Sequence, residues 1–289
     1  MTAIDTSVTS TRPLLRERQG VDAFVALMYH NICDDEGPPP DVSPADSAYF
    51  VTLSAFAEQM SALHACGAHC MRREALEATY GFGRSEQLPR SSSGYPVLLT
   101  FDDGWRGVVE YGGPILELCR AQAILFVTYE YLNRRHFLSM REVSRLNQDV
   151  FQIGSHAMTH RLLSVLDEDE IRAELADSKR GLEDLVGSEV DSLSIPNGAV
   201  DQRVRRIAAE CGYRFIFDSS VRVNRGRANP LSIGRLAVKR TTPIAAFRRF
   251  VQHRTGGEWW RRVMLATPKR LLGLRRYDVL RRRLLGDCR

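Results

Sequence analysis

The sequence predicts an α/β fold built on parallel strands, and three observations carry the prediction. Short apolar runs such as VLLTF (97–101) recur along the chain and read as strands. Segments with helical spacing, several with polar starts and glycine stops, lie between them. From residue 97 onward the two kinds alternate, and repeated βα units imply parallel strands, arranged as a doubly wound sheet or as a barrel. No internal repeat is evident.

The elements follow in order. Residues 1–20 form a polar lead-in to a domain spanning 21–258. AFVALMYHNI (23–32) reads as a buried strand ending at His30, and CDDEGPPPDVSP (33–44) as a loop by its Pro, Gly and Asp content. SAFAEQMSALHACG (54–67) has a serine start, helical spacing of Phe56, Met60 and Leu63, and a glycine stop. GFGRSEQLPRSSSGYP (81–96) is a flexible connector ahead of the strand VLLTF. GGPILELCRAQ (112–122) is helical, AILFVTYEYL (123–132) a strand, and FQIGSH (151–156) another. DEDEIRAELADSKRGLEDLVG (167–187) is a helix with acidic residues in its first turn, where the helix dipole favours them, and glycine at its end. DSLSIPNG (191–198) is strand and turn, DQRVRRIAAECG (201–212) a helix, and YRFIFDSS (213–220) and LSIGRLAVKR (231–240) are strands.

The last stretch, 259–289, departs from this pattern by alternating arginine clusters with leucines. It reads as a basic amphipathic helix for an anionic membrane surface or, equally, as a capping helix with a solvated basic face. Nothing else in the chain supports a nucleic-acid contact, and a formal charge of only +5 does not argue for one. At 289 residues, 44% hydrophobic and 26% charged, the composition is that of a globular protein with a substantial core. No apolar run approaches a membrane span, and the first residues lack a signal-peptide core. Cys33, Cys66, Cys70, Cys119, Cys211 and Cys288 are scattered without a CxxC pair, so they are expected as free thiols in a cytoplasmic protein.

Two motifs could carry chemistry. TFDDG places Asp102 and Asp103 side by side at the end of a strand. Two adjacent carboxylates repel and need water, a cation or a shared proton between them. GSHAMTH places His156 and His160 four apart, a spacing that brings both imidazoles to one side of a helical or tightly turned segment. One aspartate and two histidines suit zinc or another divalent transition ion, with positions left for water and substrate. Sites in parallel α/β folds assemble at the C-terminal ends of strands, where both motifs fall. A glycosidase would need its two carboxylates facing each other at least ~5 Å apart across a sugar bond, which adjacent residues rarely achieve. A two-metal phosphodiesterase would need further carboxylate ligands, whereas a non-catalytic binding module on the same fold stays open as the alternative.

TFDDG and SHAMTH, in this order, resemble the polysaccharide deacetylases, the NodB-homology or carbohydrate esterase family 4 enzymes. The resemblance runs from LMYHNI to about IGRLAVKR, with SIPNG and CGYRFIF as softer support. It implies a distorted (β/α) barrel of the seven-strand type and a metal-dependent removal of acetyl from N-acetylated sugars. It further implies that Asp103, His156 and His160 bind one divalent ion: zinc, with cobalt, nickel, iron or manganese as alternatives. Asp102 would then be the general base, and Pro196, Asn197 and Gly198 would align with a Pro-Tyr-Gly stretch whose backbone amide stabilises the oxyanion. SLSIPNG lacks the family's arginine before the proline, and Arg235 in IGRLAV is the candidate to replace it. Ala157 stands where a Ser or Thr usually braces the histidine loop. No Leu-x-His motif supplies a late acid histidine, and His253 sits in a poor context. The early Tyr-His of LMYHNI instead resembles the poly-N-acetylglucosamine branch, which makes His30 the candidate general acid. The expected partner is an N-acetylated glycan of the cell surface or its lipid-linked precursor.

Overall fold

A computed structural model describes residues 22–82, 94–226 and 228–256. The predicted lead-in at 1–20, most of the connector at 81–96 and the basic stretch at 259–289 lie outside them. The strands are β1 (Ala23–Tyr29), β2 (Asn31–Cys33), β3 (Phe50–Thr52), β4 (Ala68–Cys70), β5 (Tyr95–Phe101), β6 (Ala123–Val127), β7 (Phe151–Ser155), β8 (Ser192–Ser194), β9 (Phe215–Phe217), β10 (Asn224–Arg225) and β11 (Arg235–Ala237). The helices are α1 (Pro44–Ser47), α2 (Leu53–Ala65), α3 (Arg73–Tyr80), α4 (Gly113–Leu118), α5 (Met140–Val143), α6 (Glu168–Val186), α7 (Gln202–Glu210) and α8 (Ile244–Val251).

Strands β11, β1, β5, β6, β7, β8 and β9 run side by side and parallel. A parallel bridge from Phe217 to Ile233 joins the far edge back to the segment entering β11. The sheet therefore curls into the distorted (β/α) barrel that the sequence implies. The remaining strands are accessory: β10 pairs antiparallel with β1, β4 pairs with β5, and β2 pairs only with β3.

Side chains alternate across a strand. Phe24, Ala26, Leu98, Ile124, Phe126, Phe215 and Phe217 fall together in one buried cluster, the filling of the barrel. Val25, Leu27, Tyr29, Val97, Leu99 and Phe101 take the other face, packed with Phe56, Met60, Phe247 and Phe250 from α2 and α8. With both faces of β1 and β5 covered, neither strand needs polar positions, which is why both read as continuous apolar runs.

Several boundaries differ from the sequence-based expectation. The run 23–32 is two strands, because His30 breaks the ladder and β2 turns away to β3. The run 123–132 is a strand only to Val127. Tyr129 and Glu130 then donate backbone N–H to the carbonyls of Ala157 and Met158, which holds a 3₁₀ turn. Helix α2 is capped by Thr52 instead of Ser54. Helix α6 matches its expected span: Asp167 and Glu170 form a capping box, and Gly187 ends it in a left-handed turn. Cys33, Cys66, Cys70, Cys119 and Cys211 are free thiols. No helix among the described residues is long and apolar enough to cross a membrane.

Candidate active site

Strand β5 delivers both aspartates to the C-terminal mouth of the barrel. The N–H of Asp102 still donates to the carbonyl of Tyr29 at 3.0 Å, continuing the contact with β1. The chain then turns sharply, with Asp103 at φ 76° and Gly104 at φ 87°. Glycine adopts that backbone freely; a non-glycine residue holds it at a cost of about 1–3 kcal/mol and is found mainly at sites that over-determine it. Both carboxylates are 2% exposed, and they point to different partners.

Asp103 meets the histidines. Its Oδ1 lies 3.4 Å from Nε2 of His160 and 3.5 Å from Nε2 of His156, while Oδ2 accepts from Nε1–H of Trp105 at 3.1 Å. The His156–His160 segment is not helical. Ala157 and His160 both lie at φ 64°, and the turn brings the two rings to 4.8 Å between centroids. His156 Nδ1 lies 2.8 Å from the carbonyl of Ser194, which can only accept. The Nδ1–H tautomer follows, and Nε2 presents its lone pair to the pocket. The ligand atoms of Asp103, His156 and His160 all fall within 4.8 Å of one another. Ligands ~2.1 Å from a tetrahedral ion stand about 3.4 Å apart, so this donor set fits zinc or a similar divalent ion.

Asp102 meets Arg235. The pair is bidentate, Nη1 to Oδ1 at 2.7 Å and Nη2 to Oδ2 at 2.8 Å, with the arginine side chain only 1% exposed. The remaining donors of the guanidinium are spent on Ser194 Oγ at 2.8 Å, Thr100 Oγ1 at 3.3 Å and the Asp218 carbonyl at 3.4 Å. Its flat face lies over Phe126, 5.6 Å from the ring centroid, so it closes the apolar filling of the barrel from above. Burial alone would push the Asp102 carboxyl up. The charge of Arg235, with help from His156 and the hydrogen bonds to Arg235, outweighs burial and holds it below the usual carboxylate value.

His30 follows β1 directly. Its half-buried ring sits 4.3 Å from that of Tyr49, whose other neighbour is the Lys239 ammonium at 4.5 Å. Nδ1 of His30 is shielded from solvent and has no hydrogen-bond partner. Burial lowers its pKa, Asp103 and then Asp102 push it back up, and the net shift is downward. The charge of both aspartates therefore reaches this ring. Pro196–Gly198 form a 3₁₀ turn leaving β8, with Asn197 at φ 57°. Asn is among the few side chains that adopt this backbone readily. The Gly198 N–H is already committed to the Ile195 carbonyl at 2.9 Å.

His253 lies at the opposite end of the barrel. Its Nε2 meets the carbonyl of Pro96 at 3.0 Å, at the start of β5, about 20 Å along the strand from the aspartates at ~3.3 Å per residue. Three residues that shape the site carry no recognisable sequence signal. Ser194 contacts both the His156 ring and Arg235, Trp105 orients Asp103, and Tyr49 packs on His30.

Fold and site together define a parallel α/β barrel with a two-histidine, one-aspartate pocket at its mouth. Residues 90–216 match the sequence profile of the polysaccharide deacetylase family. YxkH of Bacillus subtilis (strain 168), a protein named for the same family, is 26% identical over 119 residues, covering 41% of this chain and 43% of that protein. The deacetylase PplD of Streptococcus pyogenes, solved in complex with acetate, superposes with a TM-score of 0.67 at 20% identity, covering 79% of this chain and 98% of that one. IcaB of Ammonifex degensii superposes with a TM-score of 0.65 at 21% identity, covering 81% and 98%. The chain thus resembles the polysaccharide deacetylases over residues 90–216, and its fold is the NodB-type barrel of these solved structures. The matched stretch spans less than half the length of the curated relatives.

Proposed function

We propose that the protein is a metal-dependent de-N-acetylase acting on N-acetylated sugars of a cell-surface polysaccharide or its lipid-linked precursor. One observation carries the reading. A buried carboxylate held by Arg235 through both oxygens is the immediate neighbour of a carboxylate facing two histidine Nε2 atoms.

Asp103, His156 and His160 would hold the ion, with zinc the best match to the donor set and cobalt, nickel, iron or manganese as alternatives. When bound, such an ion polarises the acetamide carbonyl and makes water a competent nucleophile near neutral pH. Asp102 accepts the proton of the attacking water, and Arg235 holds its carboxylate charged and aimed. The water oxygen bonds to the carbonyl carbon, and the backbone amide at Asn197, in the Pro196–Gly198 turn, donates to the developing oxyanion. His30 delivers a proton to the departing nitrogen. Its low basicity means that it rests neutral and must first be charged, and Asp102, once protonated, is a weaker base able to supply that proton. The carbon–nitrogen bond breaks, leaving acetate and a free amine. The early Tyr-His supports the poly-N-acetylglucosamine branch as the substrate class.

The test is to incubate metal-loaded protein with N-acetylglucosamine oligomers and with lipid-linked N-acetylated sugars, and to follow loss of acetyl by mass spectrometry. Full metal content with no loss on any acetylated glycan would favour a carbohydrate-binding role instead. The basic stretch 259–289 would hold such an enzyme at an anionic membrane. Equal sedimentation with anionic liposomes by the full chain and by one ending at residue 258 would dispose of that part.

A further inference from the structure

The turn between His156 and His160 does not stand by its own preferences. Ala157 and His160 both hold left-handed backbone at φ 64°, which a Cβ disfavours. Something outside the turn must therefore hold it, and helix α6 packs against it. Glu174, 6% exposed, directs its carboxylate into the turn. Oε2 accepts the backbone N–H of Met158 at 3.1 Å and of Thr159 at 2.9 Å, and Oε1 accepts the Thr159 hydroxyl. One helical turn further, Ser178 shares a hydrogen bond with Ser155 at 2.8 Å, and the Ser155 oxygen accepts the N–H of Ala157 at 3.1 Å.

No Lys or Arg among the described residues pairs with Glu174. A buried carboxylate without a cation is expensive unless hydrogen-bond donors surround it. Here every donor that meets it belongs to the histidine turn. The charge and the turn thus stabilise each other, and straightening the turn would strand a buried anion.

We propose that Glu174 is a positioning residue for the Asp103–His156–His160 pocket: it holds the turn so that both Nε2 atoms converge on Asp103 Oδ1 before an ion arrives. The proposal rests on the reading of that pocket as a metal site. Glu174→Gln keeps the shape but loses the charge, and it puts an NH₂ where the turn presents only donors. Outer partners of metal ligands typically govern affinity by about 10–100-fold, and a loss in that range is expected here.

The experiment uses the full chain stripped of metal. Cobalt(II) and zinc affinities are measured by chelator competition, the cobalt absorption spectrum is recorded, and the melting temperature of the metal-free protein is taken. If wild type binds no ion stoichiometrically, the pocket reading fails whatever Glu174 does. If wild type binds, Glu174→Gln should bind both ions about 10–100-fold more weakly, with an altered cobalt spectrum. Unchanged affinity and spectrum, with only a lower melting temperature, would show a merely structural carboxylate and overturn the proposal. Thr159→Val removes one of the three bonds from the half-buried side of the turn and decides the matter if Glu174→Gln does not fold. It should weaken cobalt several-fold, and wild-type affinity would overturn the proposal equally.

Discussion

Removing the Arg235 side chain while leaving Asp102 is the sharpest perturbation available. In Arg235→Met the carboxylate of Asp102, 2% exposed, loses the one cation among the described residues that contacts it through both oxygens. Breaking a buried pair from one side leaves an uncompensated charge and costs about 3–5 kcal/mol. For a domain of this size each kcal/mol is worth about 2–4 °C, so the melting temperature should fall by about 6–20 °C. Asp102 should also titrate upward, since burial then acts with little opposition. Adding Asp102→Leu removes the stranded charge and should recover much of the loss, because buried pairs can be replaced by apolar groups at little net expense. Recovery should be incomplete: Ser194 Oγ loses its arginine donor, whereas Thr100 Oγ1 keeps its own bond to the Leu27 carbonyl at 2.8 Å. Urea denaturation of wild type, the two single variants and the double variant gives the coupling energy, and acetyl release reports function. Deacetylation should be lost in all three variants. An Arg235→Met protein within about 0.5 kcal/mol of wild type would refute the argument, because an unpaired carboxylate cannot be buried so cheaply.

Other outcomes follow from the same geometry. Asp102→Asn should abolish turnover while metal content, read by elemental analysis, stays at the wild-type level; a fully active Asp102→Asn would remove this residue as the base. Asp103→Asn should lower metal content, because it withdraws the charged oxygen at which the two Nε2 atoms converge. His30 has a folded pKa below its unfolded value near 6.5. The unfolded chain therefore takes up the proton first, and stability present above about pH 6.5 is lost on acidification. Melting curves at pH 7.5 and 5.5 should show wild type losing more than His30→Gln, and equal losses would contradict the burial of that ring. Gly198→Ala should destabilise by about 1–3 kcal/mol in urea, since its φ of 65° disfavours a side chain and a Cβ would run into Ser219.

The parts of this protein that were legible in sequence are those coded by neighbouring residues. VLLTF announces β5 because both faces of that strand are buried, and Asp167 with Gly187 brackets α6 because caps are local. The aspartate and histidine motifs stand within five residues each, so their chemistry shows without a fold. What stayed hidden depends on long-range pairing. Strands β3 and β4 are three residues long and exist by pairing with β2 and β5. The end of β6 is masked because TYEYL continues its apolar, aromatic composition, and only the carbonyls of Ala157 and Met158 turn it. Arg235 could be suspected as Asp102's partner only by noticing a missing arginine, since 133 residues separate the two. Glu174 is hidden among the many acidic residues of its helix; burial alone distinguishes it from its solvated neighbours.

The adjacency of Asp102 and Asp103 looks like an electrostatic fault, and backbone geometry resolves it. Alternation along β5 places Leu98 in the barrel filling, and Thr100 and Asp102 follow it on the same side, where Arg235 waits. Continued alternation would send Asp103 to the opposite face, among Leu99 and Phe101 under the helices. The left-handed turn at Asp103 breaks the alternation and lays its carboxylate across the barrel mouth, against His156 and His160. Each carboxylate then has its own environment, the guanidinium of Arg235 for Asp102 and the two imidazoles for Asp103, so the pair no longer shares one side of the strand. Conformation and charge at position 103 can be separated on this basis. Asn tolerates left-handed backbone about as well as Asp, so metal lost in Asp103→Asn would report charge. Val tolerates it poorly, so Asp103→Val should lose stability as well as metal; if it lost metal alone, the turn would not be what separates the two aspartates.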